Sequence, residues 1–155
     1  MTRDPINDST VWQDSDFAEP RAWVIELEDT MRDEIVTAAK DVHGVEVAAL
    51  SKADFPLPGC ESVIKQVRDE LETGRGFSVL SGFPVERLSF EESRRAYAGF
   101  CSHLGRPIVQ IGAAERMVDV RDIGREYSAR SREYSGTALL PFHTDGTKGE
   151  PEMRP

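Results

Sequence analysis

Gly76-Phe77-Ser78-Val79-Leu80-Ser81-Gly82 alternates apolar and small polar residues between glycines, and a helical pattern stands on each side of it. Alternation of period two over so short a run predicts a strand covered on one face, with Pro84 closing it. The preceding helix is predicted over about Glu61 to Thr73, with Val63, Ile64, Val67 and Leu71 on one face and Gly74 at its C-terminal end. The following helix opens at Ser89-Phe90-Glu91-Glu92, a capping box in which the Ser89 hydroxyl accepts a backbone N–H and Glu92 reaches back to the cap. Its stripe runs through Phe90, Arg94, Tyr97, Cys101 and Leu104, with Phe100 beside it, and Gly105 ends it before Arg106-Pro107. Helix, strand and helix in that order predict an α+β chain.

Upstream, residues 1 to 19 are polar and acidic, with Trp12 and Phe17 as isolated apolar residues, and predict an extended arm. Pro20 suits a first helical turn, and Trp23, Leu27, Met31, Ile35 and Ala38 follow at helical spacing, so a first helix is predicted from Pro20 to near His43-Gly44. The stretch through Phe55-Pro56-Leu57-Pro58-Gly59 predicts an irregular connection. Downstream, 108–111 and 117–120 are short strand candidates. Residues 121–136, rich in arginine and tyrosine and without a period, predict a long loop, either solvated or lying over a site.

The 155 residues match the size of one domain, and 39% hydrophobic with 30% charged residues fits a globular protein with a well-charged surface. No apolar run approaches the roughly 20 residues of a membrane span, and the N-terminus lacks a secretory pattern, so a cytoplasmic address is the expectation. The net charge is −9, and residues 1–40 hold ten acids against four bases. An acidic chain without a basic face is a poor ligand for nucleic acid, whose phosphates are met by Lys and Arg. Cys60 and Cys101 lie far apart in unrelated contexts and predict reduced thiols.

The chemistry resides in His143-Thr144-Asp145-Gly146. In a strand, residues two apart share a face about 6.5 Å apart along the chain, so the His143 imidazole and the Asp145 carboxylate can lean onto one metal. With a second histidine, that pair makes the facial triad of non-haem Fe(II) oxygenases. By spacing alone, His-x-Asp is common, and Asp145-Gly146 reads equally well as a turn.

The run from Gly74-Arg75-Gly76-Phe77 to Gly82-Phe83-Pro84, then Tyr97, Leu104-Gly105-Arg106-Pro107 and Leu139-Leu140-Pro141-Phe142-His143-Thr144-Asp145-Gly146, resembles the taurine dioxygenase-like (TauD/TfdA) family. The resemblance covers residues from about 60 to 146. It implies a partial double-stranded β-helix, or jelly roll, with flanking N-terminal helices over residues 20–155. It further implies an Fe(II)- and 2-oxoglutarate-dependent dioxygenase that hydroxylates a small organic substrate with dioxygen, with His143 and Asp145 as metal ligands. The family's distal histidine and its 2-oxoglutarate arginine lie beyond the His-x-Asp strand and have no counterpart among these residues. The chain is therefore expected to be the N-terminal part of such an enzyme, truncated after that strand and inactive unless a completing chain or homo-oligomer supplies the rest. His43 and His103 sit at predicted helix ends and are expected to be structural, and Gln110 is expected to face solvent. The alternative expectation is a non-catalytic interaction protein derived from this fold, which pairs an exposed edge with a partner.

Overall fold

The computed structural model describes residues 7–19, 22–108, 116–117 and 119. Two compact units divide the chain, Met1–Arg116 and Met117–Pro155. Of the second, only Met117 and Asp119 are described. The strand candidates at 108–111 and 117–120 therefore fall largely outside the described residues, and the loop at 121–136 falls wholly outside them.

In the first unit the regular elements are β1 (Val24–Glu26), α1 (Asp29–Asp41), α2 (Glu61–Glu72), β2 (Val79–Ser81) and α3 (Phe90–Ser102). β1 and β2 pair in parallel, with Val24 opposite Val79, Ile25 opposite Leu80 and Glu26 opposite Ser81. The Leu27 N–H extends the ladder by donating to the Ser81 carbonyl at 3.1 Å. Parallel strands require a long crossover, and here α1 and α2 provide it.

One helical expectation is corrected. The segment from Pro20 does not continue as a single helix: Val24–Glu26 is a strand, and α1 starts at Asp29. Trp23 and Leu27 have a spacing compatible with a helix, but the β-branched Val24 and Ile25 fit the pleated ladder offered by β2, and pairing overrides propensity. The other end is as expected: α1 stops at Asp41, and Gly44 follows with φ 72°. α2 and the strand after it also stand where periodicity put them, except that Leu71 is 45% exposed rather than on the buried face with Val63, Ile64 and Val67.

The capping box of α3 forms as predicted, with Ser89 N–H donating to Glu92 Oε2 at 2.7 Å and Glu92 N–H donating to Ser89 Oγ at 3.3 Å. The buried stripe keeps Phe100, with Leu104 packed against the core, but is otherwise shifted. Ala96, Gly99 and Phe100 face inward, whereas Phe90 and Tyr97 are 46% and 59% exposed. α3 lies against α1, and its Gly99 makes room for the ring of Phe55 from the connection.

The core's largest fully buried residues come mainly from the irregular connection: Phe55, Leu57 and Cys60, together with Ile35 of α1 and Pro84. Phe55 lies directly over Gly99, where an added Cβ would meet the ring at 2.2 Å from Cγ. The N-terminal arm is also anchored. Its Asp14–Phe17 segment is a 3-10 turn, and Trp12 and Phe17 are not isolated, since they join Trp23 and Phe77 in a ring cluster with centroids 5.0 to 5.5 Å apart. Edge-to-face geometry of this kind adds to plain burial. Among the described residues no helix is long and apolar enough to cross a membrane.

Gly99→Ala is expected to destabilise the fold by about 1–3 kcal/mol through overpacking. In chemical denaturation, Phe55→Leu introduced beside it should recover part of that loss. Gly99→Ala with wild-type stability would show that the ring does not rest on the glycine.

Candidate functional site

The two residues assigned to metal binding by resemblance, His143 and Asp145, lie outside the described residues, as does Gln110. Among the described residues no group of three or more His, Cys, Asp or Glu side chains could hold a metal ion. What is described is the surface formed where α1, α3 and the 43–60 connection meet.

His103 is the C-terminal cap residue of α3, and its Nε2 lies 2.8 Å from the Phe55 carbonyl oxygen. In the tautomer that carries the proton on Nε2, the ring donates to that carbonyl. Arg68 of α2 donates in turn to the His103 carbonyl at 2.5 Å. A helix end leaves carbonyls without intrahelical partners, and a cation there satisfies both hydrogen bonding and the helix dipole. His103 thus ties the connection to α3, which is the structural role expected of it. His43 is exposed just past the end of α1.

Two cavities flank this junction. The first, of about 350 Å³, has the carboxylates Glu34, Asp41 and Asp54 in its lining. Glu34 Oε1 accepts the Gly59 N–H at 2.9 Å, and Asp54 accepts from Ser51 N–H and Oγ at 3.0 and 2.5 Å. Those bonds hold the Asp54 carboxyl below the usual carboxylate range. Glu34 also lies beside Cys60, whose thiol contacts the Met31 carbonyl at 3.8 Å. Burial, reinforced by Glu34 as hydrogen-bond partner and as neighbouring negative charge, pushes the Cys60 thiol up to about 12. A thiol so disposed is protonated and inert as a nucleophile. Cys101 of α3 is likewise raised by burial, and both cysteines are free, as composition predicted. The second cavity, of about 680 Å³, lies between residues 48–52 and the stretch from Ser102 to Pro107, with Arg116 at its lining.

The motifs that carried the resemblance have identifiable local tasks. Arg75, within Gly74-Arg75-Gly76, places one guanidinium nitrogen 3.0 and 3.1 Å from the two carboxylate oxygens of Glu70 and donates to the Ala22 carbonyl at 3.4 Å. It thereby fastens the end of α2 to the entry of β1. Gly74 permits the tight turn over that helix end, because a Cβ there would come within 2.7 Å of Glu70 Cα.

No family model matches this chain. It is similar to FR-33289 synthase of Streptomyces rubellomurinus, with 32% identity over 149 residues that cover 94% of this chain and 44% of that protein. It is also similar to the taurine hydroxylase-like protein SAT17 of Stachybotrys chartarum, with 26% identity over 151 residues that cover 90% of this chain and 39% of that protein. The chain thus spans less than half the length of the curated relatives it matches. One of these relatives is named a synthase and the other a taurine hydroxylase-like protein.

The sign of the Cys60 effect on stability follows from linkage. The folded thiol holds its proton to about pH 12, whereas the unfolded thiol releases it near its ordinary value of 9.0. The contribution is therefore fully present below that ordinary value and is lost as pH rises towards the folded value. Denaturant unfolding of wild type and Cys60→Ala at about pH 8 and about pH 10 should show a steeper decline for wild type. Equal declines would contradict a folded-state thiol raised by burial.

Proposed function

We propose that this chain is part of a non-haem Fe(II)- and 2-oxoglutarate-dependent dioxygenase that hydroxylates a C–H bond of a small organic substrate. The observation that carries this reading is the 32% identity to FR-33289 synthase across 94% of the chain. The taurine hydroxylase-like name of the second relative supports the reaction class. His143 would offer a neutral imidazole nitrogen and Asp145 a carboxylate oxygen. That donor set suits Fe(II) and leaves further positions for ligands from outside these residues.

The iron, when bound, supplies oxidation by dioxygen. One oxygen atom enters the substrate as a hydroxyl group, and the other enters succinate as 2-oxoglutarate loses carbon dioxide. The chain's own contribution would be to orient the two ligands from one face of a strand, and Phe142 and Thr144 would then point to the other. The fold proposed around them is a jelly roll, and α1, α2, α3 and the β1–β2 pair would form its flanking N-terminal layer.

A second reading, a non-catalytic interaction protein, draws on the outer face of α3, where Tyr97 is 59% exposed, and on Ile108 at 68%. The two readings separate in one assay. The product of the whole reading frame, supplied with Fe(II), dioxygen and 2-oxoglutarate, is expected to release succinate. His143→Ala and Asp145→Ala should each abolish that release, and the 155-residue chain alone should release none. Succinate release that persists at the wild-type rate in both variants would rule out the assigned ligands.

A further inference from the structure

The cavity between the 48–52 segment and the C-terminal end of α3 carries an unusual charge for this chain. Lys52, Arg106 and Arg116 line it, and among the described residues no Asp or Glu does, in a protein of net charge −9. None of the three cations makes an ion pair among the described residues, whereas Arg32, Arg75 and Arg87 are all paired with carboxylates. Unpaired like charges around one concavity repel each other, and a low-dielectric wall focuses their field into the space between them. The neighbouring polar groups are already engaged. The Ser51 hydroxyl donates to Asp54, the Ser102 hydroxyl donates to the Gly99 carbonyl at 2.7 Å, and His103 bonds the Phe55 carbonyl.

Gly105 supplies the second observation. Its φ is not in the left-handed region, so the backbone does not demand glycine. A Cβ built on it would meet nothing within 4 Å, so packing does not demand glycine either. The remaining consequence of the missing side chain is open space in the cavity wall, beside Arg106. Contrast Gly99, whose lack of a side chain is explained by the Phe55 ring.

We propose that this cavity binds a compact oxyanion bearing two or more negative charges, of phosphate or dicarboxylate type, held by Lys52, Arg106 and Arg116 with Gly105 leaving room for it. Arginine is well suited to this task because its planar fork matches carboxylate and phosphate oxygens. The proposal is independent of the oxygenase reading, since it invokes neither iron nor turnover, and a chain without activity would still bind.

The test is a titration of the 155-residue chain with inorganic phosphate and, in parallel, with succinate, followed by NMR shifts of backbone amides at matched ionic strength in sodium chloride. Saturable binding of either anion is expected, with the largest shifts over residues 51–52 and 104–107, and the tighter of the two identifies the source chemistry. Arg106→Ala and Lys52→Ala should each weaken binding about tenfold, the scale of one lost charge-assisted contact. Gly105→Leu should abolish binding without lowering the thermal midpoint. The proposal is overturned by shifts that chloride reproduces, by no binding of either anion, or by affinities indifferent to Arg106→Ala and Lys52→Ala. Undiminished binding in a folded Gly105→Leu chain would overturn it equally.

Discussion

The contact on which the first unit depends is the seat of Phe55 against α3. The ring rests on Gly99 and the backbone carbonyl meets His103, one turn further along the same helix. An apolar contact fixes position and a polar contact fixes orientation, so the irregular 43–60 segment cannot slide along the helix. Leu57 and Cys60 are carried inward by the same anchoring, and Cys60 stands immediately before α2. The long crossover required by a parallel β1–β2 pair is thus not a loop laid over the core but a large part of the core itself.

Helix termini are the second recurring constraint, and arginine resolves it. Arg95 donates to the Ala39 carbonyl in the last turn of α1 at 2.9 Å, Arg68 to the carbonyl at the end of α3, and Arg75 to the Ala22 carbonyl before β1. Each bond satisfies a carbonyl that secondary structure leaves over, and the first two also place a cation at the negative end of a helix. Arg75 also pairs with the Glu70 carboxylate, so one side chain meets both a carbonyl and an acid. Among the described residues the cations around the second cavity have no comparable structural task.

Legibility in the sequence followed the kind of signal each element emits. The α3 cap was readable because a capping box is chemistry between residues three apart, and α2 was readable because its apolar period is uninterrupted. β1 was not, since three residues give too few periods to separate from a helix, and only the partner strand, 55 positions away, decides the matter. The buried face of α3 was misread for a complementary reason. Phe90 and Tyr97 carry the larger side chains, but Gly99 faces inward because the Phe55 ring fills the space that a side chain there would need. Phe55 and Leu57 emitted no period at all, being flanked by prolines, and they are nonetheless among the most deeply buried residues. The apolar residues of an irregular segment can be recognised as core only when the helices that cover them are known.

The ordered motifs and the chemistry they suggest rest on different residues. Gly74 and Arg75 close the end of α2, and the Ser89 box starts α3; a fold that served any purpose would need them. Their presence serves folding and says little about catalysis, because a chain that had lost activity would keep them to remain folded. His143 and Asp145 are of the other kind. If they share a strand face, as alternation would place them, an apolar pair would pack there as well, and a desolvated carboxylate would be costly unless something charged paired with it. The functional reading is carried by the similarity to FR-33289 synthase, and the two assigned ligands are the side chains on which it can be tested.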